Sequence, residues 1–268
     1  VLVKIGGAAL DDPILRGRFA SSVKDAVESL GVDLALVHGG GPQLSRFQEQ
    51  LGLEVKRNDR GLRITDPETA RAAVCVLGGE VNAALVSSLT AASVRSIGLT
   101  CADGGLATAR VLDPALGSVG ELVSVDPTVI EDLASAGFVP VIATLASDPR
   151  EPLGGSFLNV NADAAVAPIA AAWGADAVLF LSDVAGVLCG GKHVASLDQA
   201  GAVHLESTGT LTGGMIPKVE AAIAATEALP RALVKIASGQ TPGSIVAALQ
   251  SSCGTALVAG QGELIHGQ

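Results

Sequence analysis

Seven short runs rich in β-branched and aliphatic residues, at 1–5, 34–38, 94–99, 139–144, 178–181, 233–237 and 256–259, recur along the chain, and most are nearly continuously apolar. A strand with no polar alternation has no face for water, so it belongs to a parallel sheet buried on both sides. Between these runs lie stretches with helical periodicity at 13–30, 42–51, 67–89, 127–136, 162–174, 215–228 and 244–251. The fold class is therefore α/β, with a central, mostly parallel open sheet. Asp66-Pro67 and Asp126-Pro127 each set a capping carboxylate before a proline at the first helical position. Around 106–125 and 184–197 the pattern changes to short strands with glycine turns, which predicts hairpins that leave the main sheet as lids. Proline and glycine interrupt the apolar pattern at 150–158. That interruption reads as a boundary between an N-terminal lobe (about 1–155) and a C-terminal lobe (about 156–268) of a single domain, not as a linker.

At 268 residues and 49% apolar composition the chain has ample core for one large domain. Its formal charge of -10 argues against a nucleic-acid surface, which needs a basic stripe. An anionic substrate must then be met by local cations, for which Lys4, Arg63 and Lys218 are the candidates. Cys75, Cys101, Cys189 and Cys253 stand singly, which argues against zinc or a disulfide framework and for buried, reduced thiols. Lys4 and two glycines interrupt the first apolar run, unlike a signal peptide, and the apolar 162–175 stretch contains Asp163 and Pro168, unlike a membrane span. A cytoplasmic location follows by elimination. The first residue, Val1, is not methionine, so initial residues are expected to be missing.

Four motifs carry the chemistry. Lys4-Ile5-Gly6-Gly7 ends the first strand, and ligands of open parallel sheets gather beyond the carboxyl ends of strands. An edge lysine reaching solvent ahead of an ordinary turn is the alternative. His38-Gly39-Gly40-Gly41-Pro42 closes the second strand and opens a helix. Glycines without Cβ let the backbone approach an anion, and N–H groups at a helix start stabilise it. His38 reads as a hydrogen-bonding residue in preference to a base. Neither the P-loop pattern nor a dinucleotide fingerprint follows the first strands. Asn159-Val160-Asn161-Ala162-Asp163 begins a helix with Asn161 as its cap, leaving an amide and a carboxylate to face a cleft. Gly213-Gly214-Met215-Ile216-Pro217-Lys218 places Lys218 near a helix N-terminus, the unfavourable end of the dipole for a cation unless an anion sits there. Asp183-Val184-Ala185-Gly186-Val187-Leu188 suits a nucleotide base and ribose. Arg63 offers a fork for a carboxylate, or an exposed salt bridge. Two distant lysines and two glycine turns fit the two sides of a phosphoryl group in transfer.

Together these motifs resemble the amino acid kinase superfamily and, within it, the acetylglutamate kinases, over essentially the whole chain and in preserved order. The resemblance implies an αβα sandwich, with N-acetyl-L-glutamate held by the N-terminal lobe and ATP by the C-terminal lobe. It implies that Lys4 and Lys218 flank the transferring group and that Asp163 orients both. Gly6, Gly7, Gly39 and Gly40 would meet phosphate, with Gly39 and Gly40 also touching substrate. Arg63 would bind the substrate α-carboxylate with help from Asn159, and 183–188 with Thr210, Leu211 and Thr212 would line the ATP site. Mg²⁺ would accompany ATP without a dedicated protein cluster. Ala8 and Gly213 depart from residues frequent in similar motifs. Because the first strand begins immediately, without the extra N-terminal helix of arginine-inhibited relatives, the implied enzyme is an arginine-insensitive homodimer of arginine biosynthesis. Glutamate, aspartate and a protected aminoadipate are rival acceptors, and a non-catalytic amino-acid or nucleotide sensor is the rival outside enzymes.

Overall fold

The computed structural model describes residues 1–59, 61–150 and 156–260. In chain order the strands are β1 Leu2–Ile5, β2 Ala35–His38, β3 Ser96–Thr100, β4 Ala107–Val111, β5 Val119–Val125, β6 Val139–Ala143, β7 Leu145–Ser147, β8 Phe157–Val160, β9 Ala177–Ser182, β10 Leu188–Cys189, β11 Lys192–His193, β12 Ser196–Leu197, β13 Leu233–Ser238 and β14 Thr255–Leu257. The helices are α1 Gly7–Asp11, α2 Pro13–Leu30, α3 Gly41–Gln50, α4 Pro67–Ala73, α5 Asn82–Ala91, α6 Thr128–Ser135, α7 Ala162–Trp173, α8 Gln199–Ser207, α9 Met215–Ala228 and α10 Ser244–Gln250, with a π-type segment at Val74–Val81 between α4 and α5.

Eight strands form one sheet in the order β12-β14-β13-β9-β1-β2-β6-β3, parallel except where β13 meets β14. The expected open, mostly parallel sheet is thus present, with β1 at its centre between β2 and β9. Side chains alternate across a strand, so β1 divides its residues between two cores. Leu2 joins Phe180, Val166, Ile169 and Ala222 on the face covered by α7 and α9. Val3 and Ile5 join Phe19, Val23, Leu85 and Ile245 on the face covered by α2, α5 and α10. Burying Phe19 or Phe180 fully contributes roughly 2–3 kcal/mol each. Lys4 shares the parity of Leu2, which aims its side chain toward the α7 face.

The 106–125 excursion leaves the main sheet as expected, but it does not stand alone. Strands β4 and β5 close with β8 and β7 into a small barrel. Residues 157–160 therefore form a strand where the pattern suggested only the approach to a helix. The expected lobe boundary rests partly on residues 151–155, which lie outside the described residues. The 184–197 excursion is divided: β10 and β11 form an isolated hairpin, while β12 returns to the edge of the main sheet beside β14.

The expected helix at 67–89 is continuous in direction, but its middle widens into the π-type segment around Gly78 and Gly79. By length and composition the run Pro67–Ala91 is apolar enough to cross a membrane (mean hydropathy 1.6), yet Val76, Leu77, Val81, Leu85 and Leu89 are buried in the sheet-facing core. Asp66 caps α4 by accepting from Thr69 N, with Pro67 at the first helical position. The second such pair works one residue later, since Pro127 is itself the cap residue of α6 and Asp126 accepts from the Thr128 N–H and hydroxyl. Helix α8 was not expected; Asp198 caps it through Gly201 N. Of the four thiols only Cys101 is buried, whereas Cys75 and Cys253 are exposed and Cys189 is half-buried; all are free. Burial, then the charge of Asp103, pushes the Cys101 thiol up to about 12.

Gly117 joins the barrel to the segment carrying Arg63. Its φ of 68° lies in the left-handed region, and an added Cβ would overlap the Thr65 carbonyl oxygen, to which Ser118 N also bonds. Gly31 at the end of α2 has a similar φ of 61° but open space around it. Gly117→Ala is therefore expected to cost about 2–3 kcal/mol, against about 1 kcal/mol for Gly31→Ala, in equilibrium denaturant unfolding. Equal losses would show that the packing against Thr65 is not limiting.

Candidate active site

Helix α7 starts where the Asn161 side chain accepts from Asp163 N at 2.8 Å and from Ala164 N at 3.4 Å, which turns the chain and fixes Asp163 in the first turn. A carboxylate there also gains from the helix dipole. Its Oδ1 lies 2.7 Å from Lys4 Nζ, delivered by β1, and 3.6 Å from Lys218 Nζ, delivered by the start of α9. The side chains of Lys4, Lys218 and Asp163 are only 7%, 9% and 16% exposed, so water screens the group weakly. Burial works against the Asp163 carboxylate, but Lys4 and then Lys218 outweigh it and hold the group below the usual carboxylate range. Burial, followed by repulsion from Lys4, brings the Lys218 ammonium down to about 8 against the opposing pull of Asp163. Two ammonium groups thus share one carboxylate, and positive charge is left over for an anion.

On one side of this triad is a cleft of about 230 Å³ lined by Lys4, Asp163, Gly39, Gly40, Arg63 and Asn159, among others. Arg63 is buried, not the exposed salt-bridge residue of the alternative. Its guanidinium donates to Gln48 Oε1, to the Gly41 carbonyl at 2.9 Å and to Ser45 Oγ at 2.8 Å, all neutral acceptors. Burial, then the charge of Arg57, pulls Arg63 down to about 10. Asn159 reaches the cleft from β8, where its backbone N–H is bonded to Ser118, and its amide has no intramolecular partner among the described residues. Gly40 packs so closely against the helix behind it that a Cβ would come within 2.6 Å of Leu77 Cδ2. His38 is fully buried beneath this loop, and burial drops its imidazole to about 4 despite the Gly39 hydrogen bond, so it is neutral and no base at pH 7.

A second cleft, of about 360 Å³, is lined by Lys218, Gly6, Ser182, Asp183, Val184 and Gly214, among others. Gly7 follows as the first residue of α1. The rest of the expected nucleotide segment is dispersed. Ala185 lines a separate cavity of about 430 Å³ with His193 and Ser244. Gly186 (φ 157°) touches His193 and Thr255, where a Cβ would clash. Val187 is buried and gives its N–H to Thr255 Oγ1, whereas Leu188 is exposed on the hairpin. Leu211 is buried against α8 and α9, Thr210 meets the Thr208 hydroxyl, and Thr212 is exposed with its carbonyl accepting from Met215 N. The side chains of Val187 and Leu211 therefore belong to the core, not to a ligand surface. Apolar residues at such positions give no sequence signal that separates these two uses. Conversely, Arg57 lines the 230 Å³ cleft and was not singled out; an antiparallel bridge to Arg63 brings it there, a pairing that no local pattern announces. Among the described residues no three His, Cys, Asp or Glu side chains converge as for a metal ion.

The sequence profile of the Amino acid kinase family matches residues 1–235. The chain is 39% identical to an acetylglutamate kinase of Nitratidesulfovibrio vulgaris, over 85% of this chain and 76% of that one. It is 37% identical to an acetylglutamate kinase of Sphingopyxis alaskensis over 99% and 88% of the two chains, and 41% identical to the chloroplastic acetylglutamate kinase of Arabidopsis thaliana over 83% of this chain and 64% of that one. Among solved structures, smu.665 of Streptococcus mutans superposes with a TM-score of 0.83 at 28% identity, covering 97% of this chain and 98% of that one. Carbamate kinase of Giardia shares the fold at TM-score 0.71 and 17% identity, covering 96% and 98%.

The electrostatics of the triad are open to direct titration. In ligand-free protein carrying isotope-labelled lysine, NMR is expected to show the Lys218 side chain losing its proton as pH rises through about 8. Asp163→Asn removes a neighbour that holds the charge on, so the midpoint moves lower still. A Lys218 midpoint near the ordinary 10.5, or an upward shift in the variant, contradicts this account.

Proposed function

The chain belongs to the amino acid kinase family, and from that premise we propose that it transfers the terminal phosphoryl group of ATP to the γ-carboxylate of N-acetyl-L-glutamate. The observation that carries this reading is the shared Asp163, which ties together a lysine lining one cleft and a lysine lining the other. The acceptor carboxylate, with a reference pKa near ~4.3, is ionised at neutral pH, so no general base is needed. The obstacle is repulsion between an anionic nucleophile and a polyanionic donor, together with the need for in-line placement. An ammonium about 4 Å from the transferring oxygens contributes on the order of 4 kcal/mol of attraction at an effective dielectric of ~20, before desolvation is set against it. Lys4 and Lys218 supply this from opposite sides, while Asp163 keeps both in place.

The larger grouping follows from the two clefts. Arg63 takes the acceptor α-carboxylate as a forked donor, Asn159 adds a neutral amide, and the Gly39 and Gly40 N–H groups face the acceptor and the transferring group. Gly6, Gly7, Asp183 and Val184 receive the phosphates and ribose of ATP. We assign the acceptor side to about 1–155 and the ATP side to about 156–268, with Asn159 to Asp163 closing the acceptor cleft from the second half. Mg²⁺ would accompany ATP, and the Asp183 carboxylate at the donor cleft, which accepts from Ser182 Oγ at 2.9 Å, would help hold it. When bound, that ion neutralises phosphate charge. A cytoplasmic homodimer serving arginine biosynthesis completes the proposal.

Measurement of ADP release with ATP, Mg²⁺ and each of N-acetylglutamate, glutamate, aspartate and acetylaminoadipate is expected to show clear preference for N-acetylglutamate. Preference for another acceptor reassigns the substrate. Lys4→Ala and Lys218→Ala should each lower turnover at least about tenfold, corresponding to ~1.4 kcal/mol of transition-state stabilisation. Turnover that survives either substitution removes that lysine from the mechanism.

A further inference from the structure

We propose that Asn82 and Gly98 are positioning residues for the peptide between Gly39 and Gly40, acting through the buried imidazole of His38. The inference rests on the phosphoryl-transfer reading above and names residues that never touch substrate. Asn82 sits at the junction of the π-type segment with α5, 5% exposed. Its Nδ2 donates to the Val141 carbonyl on β6 at 2.9 Å and to His38 Nε2 at 2.9 Å, with the Leu99 carbonyl more distant at 3.4 Å. Two carbonyls around Nδ2 require it to be the amide nitrogen, not the oxygen. His38 Nε2 must then accept.

The consequence runs through a single proton. Burial keeps the ring neutral at pH 7, so it carries one N–H, and with Nε2 accepting, that proton is on Nδ1. Nδ1 lies 2.9 Å from the Gly39 carbonyl, to which it donates. That peptide is trans, as are all peptides of the described residues. In a trans peptide the C=O and N–H point in opposite directions, so holding the Gly39 carbonyl toward buried His38 aims the Gly40 N–H away from it, into the cleft that Gly39 and Gly40 line. The Gly40 N–H has no acceptor among the described residues. It is a preorganised donor whose direction is set from Asn82.

Gly98 on β3 makes room for this relay. A Cβ built there would overlap Asn82 Oδ1 and stand 3.1 Å from its Cγ, so any side chain must displace the amide. Backbone strain does not enter, because Gly98 is not among the positive-φ glycines, and the nearest crowding is from Asn82 and Val86.

Two measurements test the relay. Long-range ¹H–¹⁵N NMR of the ligand-free wild type is expected to show His38 as the Nδ1–H tautomer, untitrated between pH 5 and 8 given a midpoint of about 4. In Gly98→Ala the tautomer signature should weaken. An Nε2–H tautomer or an imidazolium in the wild type overturns the proposal, and this readout needs neither activity nor a folded variant. Kinetically, Gly98→Ala and Asn82→Ala should each lower kcat about tenfold with both KM values within about twofold, the mark of an interaction made in the transition state. The double variant should be no slower than Asn82→Ala, because both act through one path. Losses that multiply overturn the relay, as does an unchanged kcat in both single variants. Absence of kinase activity in the wild type would instead sink the phosphoryl-transfer reading, leaving the tautomer result to be judged separately.

Discussion

Everything at this site depends on the Asp163 carboxylate being shared between two buried ammonium groups. An isolated ammonium taken out of water costs several kcal/mol, and two placed together repel, so neither Lys4 nor Lys218 is tenable there without a counter-charge. One carboxylate for two cations satisfies the fold but not the charge balance. What remains is a positive potential in a weakly screened pocket, inside a protein whose formal charge is -10. Three unrelated local choices must agree for this to occur: the parity of β1 that turns Lys4 with Leu2 toward α7, the Asn161 cap that sets Asp163 in the first turn, and a lysine placed at the unfavourable end of α9. Burial first, and repulsion from Lys4 second, lower the Lys218 titration, so that surplus is part of its cause.

Most of the sheet was legible in the sequence because parallel strands buried on both faces read as nearly continuous apolar runs, a signal that needs no knowledge of partners. The barrel was only half legible. β4 and β5 carry their own turn and were anticipated as a hairpin leaving the sheet, whereas β7 and β8 are three and four residues long and are defined by pairing with each other and with β4 and β5. Such strands have no periodicity to read. The π-type segment escaped for the same reason, since one continuous helical pattern does not report where a turn widens. In the site, charged and glycine residues were legible because each sits where its type is costly: a lysine at a helix start, a lysine inside a buried strand, a glycine where Leu77 leaves no space. Val187 and Leu211 mark the limit, because an apolar residue next to a binding motif is equally at home in the core.

The arrangement separates rigidity from recognition. Lys4 and Asp163 stand at the carboxyl end of the central strand and the capped start of a core helix, where displacement would disturb packing on both sheet faces. Arg63 and Asn159, by contrast, come from a segment bridged to Arg57 and tied to the barrel at Thr65–Gly117, and from barrel strand β8, outside the main sheet. The groups expected to meet the reacting atoms are thus anchored in the sheet, while those expected to read the far end of the acceptor hang on an appended module. Coupling between the two runs through the glycine turn. Arg63 holds the Gly41 carbonyl and His38 holds the Gly39 carbonyl, so the residues on either side of Gly40 are both pinned and the N–H of Gly40 is left between them. A loop of three glycines has the greatest backbone freedom available to a chain, and such freedom is useful at a reactive centre only when each peptide orientation is fixed by something else. Here that constraint comes from a neutral histidine and a buried guanidinium, which explains why both are buried although neither is part of a hydrophobic core.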